Sequence, residues 1–214
     1  MTSRRVERIR SHYEPRMTPG RANYDVLDWA STASQQARFE VLLAGVDLRG
    51  KSLLDVGCGL GDLYALLRAR GIPADYTGVD ILEKMAQTAR QRHPDARFHC
   101  ADIFAANPFG AEAFDVVFCS GLFNLNLGNN RDFLSRALAR FLEVSREHVV
   151  FNMLHTRATT DDDRYFHHHP QEVLRVLKSL PCEARIIDDY LPNDFTVICR
   201  KRADGAGLHN RSNR

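Results

Sequence analysis

"LLDVGCGLGDLYALL", residues 53–67, carries an apolar run, then three glycines hemmed by Asp55 and Asp62, then a helical pattern. Glycines so placed mark a tight turn between a strand and a helix, where a ligand can approach the backbone closely. A dinucleotide fingerprint asks for G-x-G-x-x-G. Gly57 and Gly59 meet it, but the third position is Asp62, with Gly61 one residue early. A carboxylate at the helix start repels a pyrophosphate aimed at that N-terminus, where an anion is otherwise favoured. Asp55 adds negative charge at the strand end. Two carboxylates beside a glycine turn suit a cationic ligand, an ammonium or a sulfonium, better than a diphosphate.

Outward from this loop, β-type runs alternate with helical patterns. "KSLLDV", "ADYTGVDI", "ARFHCADI", "FDVVFCS" and "EHVVFNML" read as strands, and "LYALLRAR", "KMAQTARQR" and "RDFLSRALARFLEVS" as helices. A further helix, "ASQQARFEVLLAGV", precedes the first strand behind a Ser/Thr cluster suited to capping. The alternation predicts βαβ units, a parallel sheet and helices on both faces. Pro170 opens another helix, "PQEVLRVLKSL", and the last two strands, "EARIIDDY" and "FTVICRK", are joined only by "LPND". So short a link makes them an antiparallel hairpin. A doubly wound sheet binds its ligand beyond the carboxyl ends of its strands, at the switch point beside the first strand. The glycine loop lies there.

A nucleoside carrying a sulfonium is S-adenosylmethionine, and "LLDVGCGLGD" resembles the D-x-G-x-G-x-G loop of the class I S-adenosylmethionine-dependent methyltransferases over a match spanning roughly residues 35–200. The resemblance implies a seven-stranded sheet of order 3-2-1-4-5-7-6 with strand 7 antiparallel, a doubly wound Rossmann-like α/β fold. It implies that Asp55, Gly57, Cys58, Gly59 and Gly61 cradle the cofactor, and that Asp80, ending "YTGVDI", accepts the ribose hydroxyls. By the same resemblance Asp102 of "CADIF" accepts from the adenine amino group, the Ile103 N–H meets a ring nitrogen, and Ile81 and Met85 flank the adenine. Met85 at helical spacing also reads as plain core. Cys119, Ser120 and Gly121 of "FDVVFCSGLFNL" would run beneath the methionine part, with Phe123 or Asn124 toward the reacting methyl. Nucleic-acid amino-methylating enzymes often carry Asn/Asp-Pro-Pro-Tyr/Phe at that place. Here it is "SGLFN", which disfavours methylation of DNA or RNA bases at nitrogen.

Methyl transfer from a sulfonium is an in-line displacement with a good leaving group, so alignment of the acceptor supplies most of the acceleration, and a base is needed only where the acceptor must lose a proton. No catalytic set is therefore assigned. Asn152 and His155 beyond the fifth strand, and Tyr190 at a later strand end, are acceptor-pocket candidates. His155 is the one side chain among them able to take a proton near neutrality, although a lone loop histidine is usually just solvated. Tyr13, Tyr24 and the single tryptophan, Trp29, lie in a segment that resembles the closing segment of small-molecule methyltransferases, with packing of the first helix as the plainer alternative for Trp29. The expected organisation is a lid or appendage over residues 1–32, the methyltransferase domain over 33–200 and a polar tail over 201–214.

Composition narrows the partners. At 214 residues, 44% hydrophobic and 26% charged, the chain suits one soluble globular domain. A formal charge of +2 sets up no field to draw in a polyanion, and the basic excess sits mostly in the two ends, so nucleic acid is disfavoured. The basic start has no signal-peptide core and no apolar stretch is long enough to cross a membrane, making the cytoplasm the expected compartment. Five scattered cysteines read as buried free thiols. Adjacent histidines 167–169 cannot all face one ion, so "HHHP" is expected to be a solvent-facing loop and no metal is expected. The leading expectation is methyl transfer from S-adenosylmethionine, leaving S-adenosylhomocysteine, to a small molecule. The alternatives are an RNA or protein acceptor, an inactive cofactor-binding subunit, and, against the sense of Asp62, a nicotinamide oxidoreductase.

Overall fold

A computed structural model describes residues 4–158 and 162–202. Seven strands form one sheet of order β3-β2-β1-β4-β5-β7-β6. They are β1 Ser52–Val56, β2 Asp75–Asp80, β3 Arg97–Cys100, β4 Phe114–Cys119, β5 Ser145–Leu154, β6 Cys182–Ile187 and β7 Asp194–Lys201. β1 pairs in parallel with β2 and β4, whereas β7 runs antiparallel to both β5 and β6. The expected order and the terminal hairpin are both present.

Side chains alternate across the pleat, so neighbouring residues of one strand feed opposite faces. Leu54, Val117 and Phe151 meet helices α6 (Asn130–Val144) and α7 (Pro170–Leu177) through Phe133, Leu138, Phe141 and Val173. Leu53, Phe118 and Val150 face the other way, onto α3 (Thr32–Gly45), α4 (Asp62–Ala69) and α5 (Glu83–Arg92) through Phe39, Leu42, Leu67 and Ala89. α3 begins at a capping box: the Ser34 N–H donates to Ser31 Oγ at 3.0 Å, and the Ser31 N–H donates to Ser34 Oγ at 3.1 Å.

Three sequence expectations change. No helix joins β3 to β4; residues 101–113 form an irregular crossover containing Pro108 and Gly110, which break helical continuity. Cys100 is exposed, because β3 is the sheet edge, while Cys58, Cys119, Cys182 and Cys199 are buried and free. The histidine run is not simply solvent-facing: His168 is buried against Phe123 and Phe166, and His169 caps α7 by accepting from the Gln171 N–H at 3.2 Å.

The segment before the sheet is ordered in a way that its pattern did not announce. It holds α1 (Arg4–Tyr13), a short 3-10 turn (Glu14–Arg16) and α2 (Asn23–Val26). Ile9, Tyr13, Met17 and Leu27 pack on a small cluster of Val26, Leu60, Leu82 and Met85, which lays the segment across the carboxyl ends of the strands. Most of the polar tail, 203–214, lies outside the described residues.

Candidate functional site

Beyond the carboxyl ends of β1 and β4 lies a cavity walled by strand ends, the glycine loop and the N-terminal segment. Switch-point clefts of doubly wound sheets are the usual ligand sites of this architecture.

The glycine loop is built by backbone geometry. Gly57, Gly59 and Gly61 take φ of 75°, 54° and 84°, values that L side chains rarely adopt. A Cβ on Gly59 would lie 2.7 Å from Leu27 Cδ2, so a side chain there would also have to push the Leu27 tip aside. The loop's amides are spent inside the protein. Gly57 and Cys58 N–H donate to the Val79 carbonyl at 2.8 and 3.1 Å, Gly59 N–H to Asp80 Oδ2 at 3.0 Å, and Gly61 N–H to the Cys58 carbonyl at 3.0 Å. None of these four is left to cradle a diphosphate. Asp62 is fixed from two sides, accepting from Asn23 Nδ2 and, at 2.8 Å, from Gln35 Nε2. It thereby staples α2 and α3 to the loop.

Two carboxylates stand in the cavity wall with their ionised forms held back. Asp55 accepts from Tyr76 Oη at 2.7 Å, yet burial pushes its pKa up to about 7. Asp80 accepts from the N–H groups of Leu82 and Gly59, and burial still raises it to about 6. A buried carboxylate with no cation beside it behaves in this way, and a cationic ligand would return both to the charged form. Asp102 has a partner that the sequence did not suggest. Its Oδ1 accepts from the Phe104 N–H at 3.0 Å, and its Oδ2 accepts from Arg5, whose guanidinium carbon lies 5.1 and 4.9 Å from the Phe104 and Phe133 rings.

Of the sequence candidates, Asp55, Gly57, Cys58, Gly59, Asp80, Ile81, Met85, Asp102, Ile103, Ser120 and Gly121 all line this one cavity, as do Tyr13, Trp29 and Asn124. Others stand behind it. Gly61 starts α4, where a Cβ would meet His93 and Phe98. Cys119 is buried in β4, and Phe123 points into the core against Phe133 and Phe151. Asn152 braces the exit loop, accepting from the Gly121 N–H at 3.0 Å and donating to Ser120 Oγ at 2.9 Å. Tyr190 donates to Asp194 at 3.0 Å, and His155 packs on Phe195 while its Nδ1 accepts from the Arg157 N–H. Tyr24, His155 and Tyr190 are not among the cavity's walls.

Sequence reasoning missed Arg5, Asp28, Gln35 and Tyr165, which complete the walls. Asp28 was signalled only weakly, as an acidic residue just before the tryptophan; it takes φ 62°, uncommon away from glycine. Its carboxylate receives His12 Nε2 at 2.8 Å, Tyr165 Oη at 2.5 Å and Arg16 Nη2 at 2.7 Å. Burial pushes the Asp28 pKa up, but these partners outweigh it and hold the pKa below the usual carboxylate range.

Comparison with known proteins agrees with this geometry. Residues 53–147 match the family described as Methyltransferase domain. Rv1506c of Mycobacterium tuberculosis (strain ATCC 25618 / H37Rv), which carries a provisional methyltransferase name, is 30% identical over 157 residues, covering 70% of this chain and 93% of that protein. The chain belongs to the class I S-adenosylmethionine-dependent methyltransferases. Trans-aconitate 2-methyltransferase of Delftia acidovorans (strain DSM 14801 / SPH-1) is 41% identical over 81 residues, which are 37% of this chain and only 30% of that relative's length. The crystal structure of magnesium protoporphyrin IX methyltransferase from Synechocystis PCC 6803 with bound SAM superposes with a TM-score of 0.65 at 17% identity, covering 95% of this chain and 99% of that one. At that identity the likeness concerns the fold. S-Adenosylmethionine is the cofactor of the family. Among the described residues no helix is long and apolar enough to cross a membrane.

Proposed function

We propose that this chain transfers the methyl group of S-adenosylmethionine to a small-molecule acceptor. The observation that carries the reading is the roof of the cavity. Tyr13, Leu27, Asp28 and Trp29 close over the strand ends from the chain's own N-terminal segment, which suits a small acceptor better than a polymer. The relatives named for trans-aconitate point the same way, although they align over a minority of their length.

The residues present fit the cofactor. Asp55 and Asp80 are buried carboxylates lacking a cation, which suits a ligand bearing a sulfonium and an ammonium. In this reading Asp80 holds the ribose hydroxyls, and Ile81, Met85 and Ile103 flank the adenine. Asp102 meets the adenine amino group, while Ser120 and Gly121 bound the methionine part. When bound, the cofactor supplies an electrophilic methyl on a good leaving group. The chain's task is alignment and exclusion of water. Residues 1–32 act as the closing segment over a catalytic domain spanning 33–200, followed by the tail at 201–214.

Asp62 deepens this arrangement, since its two hydrogen bonds hold the closing segment against the glycine loop. The test is incubation of the purified protein with methyl-labelled S-adenosylmethionine and two acceptor pools, a small-molecule extract and total RNA. Label is expected in the small-molecule pool alone. Label in RNA, or in protein added as a third pool, overturns the acceptor class.

A further inference from the structure

Taking the proposed cofactor placement as its basis, the remainder of the cavity has a chemistry of its own. Once the glycine loop, Asp80, the adenine flank and Ser120 are set aside, the walls that are left include Tyr13, Asp28, Trp29, Asn124, Leu127 and Tyr165. Trp29 is a fixed wall. Its ring lies 4.3 Å from the Arg38 guanidinium carbon, and Arg38 is itself buried and paired with the fully buried Asp194. Leu122 and Leu125 extend the apolar surface beside it.

The acceptors at this end are the Asn124 Oδ1 and the Asp28 carboxylate, which stand beside the hydroxyls of Tyr13 and Tyr165. The side chain of Asn124 is nine-tenths buried, and its Oδ1 has no hydrogen-bond partner, a costly state unless a ligand donor completes it. The Asp28 carboxylate is held in a left-handed backbone position by His12, Arg16 and Tyr165. Strained, over-determined positions of this sort concentrate at ligand sites.

The charge balance is as informative. Among the described residues that line the cavity, the carboxylates are Asp28, Asp55, Asp62, Asp80 and Asp102, whereas the one guanidinium or ammonium is that of Arg5, already bound to Asp102. Polycarboxylates are ordinarily gripped by arginine forks. A polycarboxylate entering here would meet like charge with no free cation.

We propose that the methyl acceptor is an uncharged molecule with an aromatic or apolar body and a hydroxyl or amino N–H/O–H donor, received by Asn124 and Asp28, and that polycarboxylates are refused. This separates the chain from the trans-aconitate methyltransferases that it resembles over 81 residues. In the transfer, the acceptor's oxygen or nitrogen lone pair forms the bond to the methyl carbon. The C–S bonding pair stays on sulfur as a neutral thioether, and the acceptor's proton passes to solvent.

The experiment begins with protein saturated with S-adenosylhomocysteine, that saturation being verified by calorimetry. Failure at this step counts against the cofactor reading and leaves the acceptor inference to be judged apart. The saturated protein is then titrated with 4-ethylphenol, 4-ethylaniline, 4-hydroxyphenylacetate and trans-aconitate, following heat and the emission of Trp29. A neutral probe is expected to bind at least about tenfold more tightly than 4-hydroxyphenylacetate, which differs from 4-ethylphenol mainly in its carboxylate, and trans-aconitate to give no response. Asp28→Asn is expected to narrow the neutral-to-anionic ratio severalfold. Equal or tighter binding of either anion overturns the proposal. So does the absence of binding by both neutral probes to protein that holds S-adenosylhomocysteine, or a ratio unmoved by Asp28→Asn in protein that still folds by circular dichroism.

Discussion

Asp80 shows how one side chain carries several demands. Its carboxylate accepts the Gly59 and Leu82 N–H groups, tying the glycine loop to the end of β2, and retains lone pairs toward the cavity. Asp80→Ala is expected to weaken S-adenosylhomocysteine binding by about 1–3 kcal/mol, as two hydrogen bonds to a charged acceptor are lost. An unchanged calorimetric titration would contradict the ribose assignment. Asp55 and Asp80 also make binding pH-dependent. Their pKa values, about 7 and about 6, lie above the ordinary 3.8. The free folded protein therefore holds protons that the unfolded chain releases, and their contribution to stability is lost progressively as pH rises from about 4 to the folded pKa values of about 6 and 7. A bound cation favours the ionised forms, so S-adenosylmethionine binding is expected to release protons at about pH 6.5 and none at about pH 8.5. Calorimetry in buffers of different ionisation enthalpy measures this, and no release at the lower pH would count against cationic recognition by these groups. At this scale the glycines and Asp80 were legible, because a turn with positive φ and a strand-end carboxylate are local features. Arg5, Gln35 and Tyr165 were not, since only tertiary packing brings residues so distant in sequence to one cavity.

Among the elements, α3 and β7 are joined by a buried charge pair, Arg38 with Asp194, and α3 in turn presents Arg38 to Trp29. Arg38→Met leaves a buried carboxylate without its cation, and the expected cost is about 3–5 kcal/mol in urea denaturation. A loss below about 1 kcal/mol would mean that the pair is dispensable to the docking of α3. The exit loop after β4 makes a second such junction. Gly121 has φ 77°, and a Cβ there would sit 2.7 Å from Trp29 Cη2. Gly121→Ala should therefore displace the indole, shift its emission to the red and reduce methyl transfer, beyond a backbone cost of about 1–2 kcal/mol. Emission identical to the parent protein would place Trp29 elsewhere. Strands and central helices were readable from apolar β-type runs and helical spacing within a residue or two at most ends. The N-terminal helices were not, because α1 has no fully buried residue and docks through Ile9 and Tyr13 on a small cluster and through Arg5 on Asp102, Phe104 and Phe133. His168 escaped for a like reason: its burial against Phe123 and Phe166 comes from the return of a loop, not from local pattern.

The whole molecule arranges its charge by position rather than by sum. A formal +2 across 214 residues coexists with a cavity walled by five carboxylates and a single guanidinium, itself already paired. Net charge could not reveal how acidic the interior of the site is. The full strand order followed only from the family resemblance of the glycine loop, whereas the terminal hairpin was legible because a short link between two strands admits one topology. The acceptor end was not, since it is assembled from three separated stretches, residues 5–29, 120–127 and Tyr165. Ligand linkage offers a molecule-wide readout, as anything that binds the folded state alone raises its stability. S-Adenosylhomocysteine at about 100 times its dissociation constant is expected to stabilise the protein by about 2.7 kcal/mol. The most direct trial of the central claim is a calorimetric comparison of S-adenosylhomocysteine with NADH on the parent protein at about pH 8, where Asp55 and Asp80 are ionised. One equivalent of the thioether nucleoside bound, with no heat from the dinucleotide, is the predicted result. Saturable binding of NADH with none of S-adenosylhomocysteine would contradict it.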